Sequence, residues 1–216
     1  MRYYRIPDET VRRLPMYWRA ISLISEKGYK CISSAAIADI THIDSWQIRK
    51  DFSYFGAFGT RGIGYETEKL QKKIGDILRL NSIQRTALVG VGNLGIALLK
   101  YPGFRLYGFD IVAAFDNDKY KVGQTINGIT IESISKLSVL KQKNIFIGII
   151  AVPYTEAQQI AGNLIDLGVS GLLNFAPVML KVPKNVTIVN IDIALDLARI
   201  PYYMPAKLAG RRSVNK

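Results

Sequence analysis

The chain has 216 residues, enough for one large domain or two small ones, and 49% of them are hydrophobic, enough for real cores. Its formal charge of +12 is spread along the whole length, which predicts a polyanionic partner, nucleic acid or an anionic membrane surface, without locating the binding face. One cysteine excludes an internal disulfide framework and suits a reducing cytoplasm; one histidine, His42, argues against a histidine metal site or catalytic pair; and no apolar run reaches transmembrane length.

Up to about residue 80 the pattern is helical. Val11, Leu14, Trp18, Ile21 and Ile24 recur at intervals of three or four until Gly28, with Pro15 expected to break or kink the run. Cys31, beside Ile32, reads as core filler. A second helix is expected from Ser33–Ser34, carrying Ile37 and Ile40. The turn "THID" leads to a third over 45–55, with Asp44 or Ser45 as N-cap. A glycine-punctuated hairpin, "GAFGTRGIGY", precedes a last helix near 67–80 with Leu70, Ile74, Ile77 and Leu78.

On a helical wheel of the third helix, Ile48, Phe52 and Phe55 share one face, while Trp46, Arg49, Lys50 and Ser53 form a contiguous arc opposite. A dry anchoring face opposed by Arg, Lys and a hydroxyl suits the major groove of DNA. The preceding helix and tight turn complete a helix-turn-helix, and the hairpin would be a wing whose tip residue, Arg61, could enter a minor groove. Gln47 and Tyr54 join Arg49, Lys50, Ser53 and Arg61 as candidate DNA contacts, whereas Trp46 could instead pack on the wing. An ordinary amphipathic helix with a solvated charged face would explain Arg49 and Lys50 alone.

After Asn81, apolar runs of strand length, 86–91, 111–115, 145–152, 171–176 and 186–191, alternate with helices. This predicts an α/β domain whose parallel sheet is covered on both faces. Gly90, Gly92 and Gly95 stand in G-x-G-x-x-G spacing between a strand and a helix, the arrangement that brings a pyrophosphate onto a helix N-terminus, with Val91, Asn93 and Leu94 filling the loop. Asp116 lies 21 residues after Gly95, where a carboxylate can accept from ribose hydroxyls and repel a 2′-phosphate, favouring NAD(H) over NADP(H). Later strand ends add Val152, Pro153, a T-x-x-Q capping pattern from Thr155 to Gln158, and Phe175, Ala176 and Pro177. The same fold could serve coenzyme A or S-adenosylmethionine.

A winged helix followed by a Rossmann domain, with "QIRKDFSYFGAFGTRGIGY", "GVGNLGIALLKYPGF", "FDND", "VPYTEAQ", "GVSGLLNFAPV" and "VPKNVTIVNIDIALDLA", resembles the Rex family of bacterial redox-sensing transcriptional repressors over nearly the whole chain. The resemblance implies three parts: a winged-helix DNA-binding domain over 1–80, a Rossmann NAD(H)-binding domain over 81–191, and a C-terminal domain-swapped helix and tail over 192–216. It also implies a cytoplasmic homodimer, joined through that helix, that binds double-stranded operator DNA, senses NADH against NAD+ and performs no catalysis. It places Arg19 at the DNA-domain interface, Tyr101 near the nicotinamide and Asp192 on the swapped helix as partners in a switch; where family versions can carry an aromatic after this aspartate, the residue here is Ile193. A small NAD-dependent dehydrogenase is the rival, though no histidine follows the glycine motif. A coenzyme A-binding module is the other.

Overall fold

The computed structural model describes residues 6–56, 58–60 and 62–204. The chain divides between Ser82 and Ile83 into two compact units.

The first unit opens with α1 (Asp8–Glu26), whose first turn carries Asp8 and Glu9, the charge its positive end prefers. The helix runs through Pro15 and does not break there. The ring removes one backbone donor, but Leu14, Tyr17, Ala20, Ile21 and Ile24 are all buried along this helix, and that packing outweighs the loss. Val11, expected on the same face, is exposed, as is Ile40 further on.

Next come β1 (Cys31–Ile32) and α2 (Ser34–Thr41), which Ser33 caps by accepting the Ala36 N–H at 3.1 Å. The strand's alternation sends Ile32 into the core and Cys31 outward, so the cysteine is exposed and not core filler. His42, in the left-handed conformation, ends α2. α3 (Ser45–Ser53) follows; Asp44 stands at its N-cap position without a side-chain cap bond, and the helix stops two residues short of Phe55, which still packs half-buried against the core. β2 (Tyr65–Glu66) pairs antiparallel with β1 and leads into α4 (Thr67–Ile77). Phe52 of α3 is the hub of this core, its ring 5.2–5.4 Å from those of Tyr17, Phe58 and Tyr65.

The second unit is built on β3 (Gln84–Val89), α5 (Asn93–Lys100), α6 (Gly103–Leu106), β4 (Phe109–Asp116), β5 (Thr125–Ile126) and β6 (Ile129–Ser133). A single 3₁₀ turn then precedes α7 (Val139–Gln142), β7 (Ile147–Ile150), α8 (Tyr154–Asp166), β8 (Gly171–Asn174), β9 (Thr187–Asn190) and α9 (Ile193–Tyr203). The strand order is β5-β6-β4-β3-β7-β8-β9, parallel except for β5, which pairs antiparallel with β6. Counting only the six parallel strands, this is the doubly wound order 3-2-1-4-5-6, whose switch point lies between β3 and β7.

One sheet face packs Val89, Phe115, Ile150 and Leu172 against Leu140, Ile160 and Leu164 of α7 and α8. The opposite face packs Leu88, Ala114 and Ile131 against Leu99 of α5. Coverage of this second face is incomplete, because the β8–β9 connection contains no helix. Phe104, Phe109, Ile147, Leu173 and Val189 line an open apolar hollow of about 460 Å³ there. α9 has no buried residue; Ile193, Leu195, Leu197 and Ile200 are all exposed.

Candidate functional sites

On α3 the wheel holds. Ile48 and Phe52 are buried, and Trp46, Arg49, Lys50 and Ser53 are exposed on the other side. Arg49 is steadied by its Nη1 donating to Ser34 Oγ at 2.9 Å, across the turn from α2. Lys50 lies with its ammonium 6.0 Å from the centre of the exposed Trp46 ring. Ser53 Oγ donates back to the Lys50 carbonyl at 2.6 Å, and Tyr54 is half-buried just past the helix end.

Beyond α3 the chain turns back at Thr60 and Gly64, which exchange two backbone hydrogen bonds of 3.0 Å. The resulting ribbon is braced by the Lys73 ammonium, 4.5 Å over the Phe58 ring. Between ribbon and helix lies a groove of about 510 Å³, with Ser33, Ser34, Arg49, Ser53, Thr60 and Gly62 on its walls. Arg61 lies outside the described residues.

Sequence reasoning missed the residue that fixes this helix. Asp51 is fully buried. Its Oδ1 accepts from Thr10 Oγ1 at 2.9 Å, Arg13 Nη2 at 2.9 Å and Gln47 Nε2 at 2.8 Å. Its Oδ2 accepts from Arg13 Nε at 2.7 Å and the Tyr17 hydroxyl at 2.6 Å. Burial alone would push this carboxyl up, but the hydrogen bonds from Arg13, Tyr17, Gln47 and Thr10 outweigh it and hold its pKa at about 2. Burial and the carboxylate together push the Tyr17 hydroxyl up. Gln47 is half-buried, its Nε2 donating to Asp51 Oδ1 from one turn earlier on the same helix. The signal was available: Asp51 falls at about −60° on the same wheel, on the flank of the apolar face, where a carboxylate demands donors from a neighbouring helix.

In the second unit the sheet register sets the site. Val89 is level with Phe115 on one side and Ile150 on the other, Ile150 with Asn174, and Asn174 with Asn190. The residues that follow, Asp116, Gly90, Ala151, Phe175 and Ile191, therefore line one carboxyl edge, where doubly wound sheets bind ligands. Gly90 turns with φ +94°, and a side chain there would strike the Ala151 carbonyl. Gly95 packs directly on the Gly90 carbonyl. Gly92, the N-cap residue of α5, differs: a Cβ on it would meet nothing within 4 Å. That gap, in front of the exposed first-turn residues Asn93 and Leu94, is where a phosphate can approach the backbone and the positive end of the helix.

Asp116 closes the other end of the loop. Its Oδ2 accepts the Val91 N–H at 2.7 Å and lies 3.3 Å from Lys121 Nζ; its Oδ1 accepts the Asp118 N–H at 2.8 Å. Burial would raise this carboxyl, but the Asp118 and Val91 N–H groups and Lys121 bring it below its ordinary range. A charged carboxylate at the end of β4, an open cradle at Gly92 and a helix N-terminus fit a dinucleotide. Val152 and Ala176 are buried, Phe175 is half-buried, and Pro153 and Pro177 are exposed along the same edge.

The expected cap from Thr155 to Gln158 does not form. α8 starts at Tyr154 with Pro153 at its N-cap, two residues before Thr155, and Gln158 instead exchanges two hydrogen bonds with the backbone of Lys181, at 2.9 and 3.1 Å. Tyr101, 58% exposed, ends α5 with its ring edge-on to Phe104 at 5.3 Å. Asp192 caps α9, accepting from the N–H groups of Ala194 and Leu195 at 3.1 Å, and Arg19 is exposed on α1.

Comparisons with known proteins match both halves. Residues 5–53 match the family described as putative DNA-binding protein N-terminus, and residues 81–178 match the CoA binding domain family. A redox-sensing transcriptional repressor Rex of Desulfitobacterium hafniense is 43% identical, the match covering 97% of this chain and 100% of the relative. That of Carboxydothermus hydrogenoformans is 45% identical over 91% and 95%. Among solved structures, RSP in complex with beta-NAD+ and operator DNA superposes with a TM-score of 0.87 at 31% identity, covering 92% of each chain. RSP in complex with beta-NADH gives 0.83 at 30% identity, covering 92% of this chain and 94% of that one.

Proposed function

We propose that this chain, which belongs to the Rex family of redox-sensing transcriptional repressors, binds operator DNA with its winged helix and NADH or NAD+ at the carboxyl edge of its sheet, each at the other's expense. The observation that carries the reading is the pairing, in one chain, of an exposed Arg49–Lys50 face beside a groove with a glycine cradle closed by Asp116.

Arg49, Lys50 and Ser53 would contact base edges and phosphates, Arg61 the neighbouring minor groove, with Asp51 holding the helix. The amides at the start of α5 would take the pyrophosphate, and Asp116 the adenosine ribose. NADH and NAD+ share their adenylate half, so discrimination must arise at the nicotinamide, where only the oxidised ring is cationic. The apolar turn of Phe175, Ala176 and Pro177 would penalise that charge by desolvation. If DNA and NADH favour different arrangements of the protein, each weakens the other by the same factor.

A second copy of the chain is part of this reading. α9 with its exposed leucines, and the open apolar hollow on the sheet, are surfaces that a homodimer would cover. Tyr101, Asp192 and Arg19 would then exchange partners in the switch. We place the protein in the cytoplasm, beside the DNA it reads; among the described residues, no helix is long and apolar enough to cross a membrane.

Operator affinity measured at fixed salt against NADH and NAD+ tests the whole. NADH should release the DNA and NAD+ should do so poorly; equal effects, or none, would reject it. The match of residues 81–178 to CoA binding domains favours one second reading, a coenzyme A-binding module. Calorimetry with NADH, NAD+ and coenzyme A decides between the two.

A further inference from the structure

Asn174 is the last residue of β8 and is fully buried. Its side chain does two things at once. Oδ1 accepts the Ala176 N–H at 3.0 Å, and Nδ2 donates to the carbonyls of Ala176 at 3.1 Å and Val178 at 2.9 Å, so one amide folds the turn that carries Phe175, Ala176 and Pro177. The same Nδ2 lies 2.9 Å from Asn190 Oδ1, so that its two hydrogens are shared among three acceptors. Asn190 is exposed, ends β9, and stands two residues before Asp192, the cap of α9. The backbone repeats the tie, since the Ile191 N–H donates to the Asn174 carbonyl at 2.8 Å.

An apolar side chain at the Asn174 position would strip the Ala176 N–H and the Val178 carbonyl of this partner, so the amide there is explained by what it holds. It holds the crevice turn on one side and the root of α9 on the other. We infer that Asn174 and Asn190 are positioning residues that pass the state of the nicotinamide turn to the start of α9. Displacing Ala176 or Val178 shifts the Asn174 amide, and Asn190 is the first residue outside the turn to register the shift. The inference rests on the dinucleotide reading above and names the regulatory route within that site.

Asn190 is the place to cut, because its side chain accepts from Asn174 Nδ2 and, among the described hydrogen bonds, reaches no residue of the turn. Asn190→Ala removes the acceptor; Asn190→Asp keeps it. The experiment is hydrogen exchange of the 190–200 segment in the full chain, with and without NADH, beside operator release in the same preparations. In the unsubstituted chain NADH should change exchange at the first amides of α9. In Asn190→Ala the change should be lost and NADH-driven release weakened at least tenfold, with NADH affinity held within about threefold. Asn190→Asp should behave as the unsubstituted chain. An unaltered NADH response in Asn190→Ala, an Asp variant that fails like the Ala variant, or a collapse of NADH affinity itself would overturn the inference. The repressor reading fails differently, by an operator complex that ignores NADH while the exchange response persists.

Discussion

Arg13 forks onto Asp51, its Nε 2.7 Å from one carboxylate oxygen and its Nη2 2.9 Å from the other, and so ties α1 to α3 by a bidentate pair. The carboxylate is fully buried and the arginine side chain about a quarter exposed. Such a pair is costly to break from one side, since the surviving charge keeps its burial and loses its partner.

Acid should expose this dependence. The folded pKa of Asp51, about 2, lies below its ordinary 3.8, so the carboxylate contributes stability that is complete above about pH 4 and lost as pH falls toward 2. The difference corresponds to roughly 2 kcal/mol. Urea unfolding followed between pH 5 and pH 2 should show that loss, and Asp51→Asn should flatten it. Asp51→Ala should cost about 3–5 kcal/mol at neutral pH, because Arg13 and Tyr17 lose their acceptor.

Arg49→Ala should weaken operator binding at every salt concentration and reduce the salt slope by about one, the signature of one lost phosphate or base-edge cation. NADH affinity, measured by fluorescence titration, should stay the same. Ser34→Ala leaves the arginine charged but unsteadied and should cost less, about 0.5–1.5 kcal/mol of operator binding.

Gly92→Ala and Gly95→Ala should part company. A methyl at Gly92 meets no protein atom, so the variant should unfold at the same temperature yet lose NADH affinity at least tenfold, because the cradle is filled. A methyl at Gly95 strikes the Gly90 carbonyl, so that variant should lose stability and NADH binding together. Thermal melts beside NADH titrations separate the cases.

Asp116→Asn keeps an acceptor for the Val91 N–H but removes the charge facing a 2′-phosphate and leaves Lys121 with Asp118 alone. NADH should bind about tenfold more weakly and the preference over NADPH should shrink. Paired titrations with the two nucleotides read both effects.

The groups legible in the sequence were those whose spacing is itself the signal. Gly90, Gly92, Gly95 and Asp116 announce their geometry because strand, turn and helix fix the distances between them, and Ile48 with Phe52 did the same for α3. What escaped depended on contacts distant in sequence. Asp51 is bonded to residues 34, 38 and 41 positions away on α1, Gln158 to Lys181, and Asn174 to Asn190. The break expected at Pro15 does not occur, because a local rule cannot see the core that Leu14 and Tyr17 bury beside it. The short β5–β6 pair escaped as well: a two-residue strand beside Asn127 and Gly128 has no periodicity to detect.

The bare leucines of α9 carry a consequence for how the protein behaves as it is diluted. If a second copy shelters them, folding and pairing become one equilibrium governed by mass action, and the melting temperature climbs with protein concentration. A cell holding few copies would then lose repression by dissociation before any shift in its redox state, so expression level sets a floor beneath the sensor.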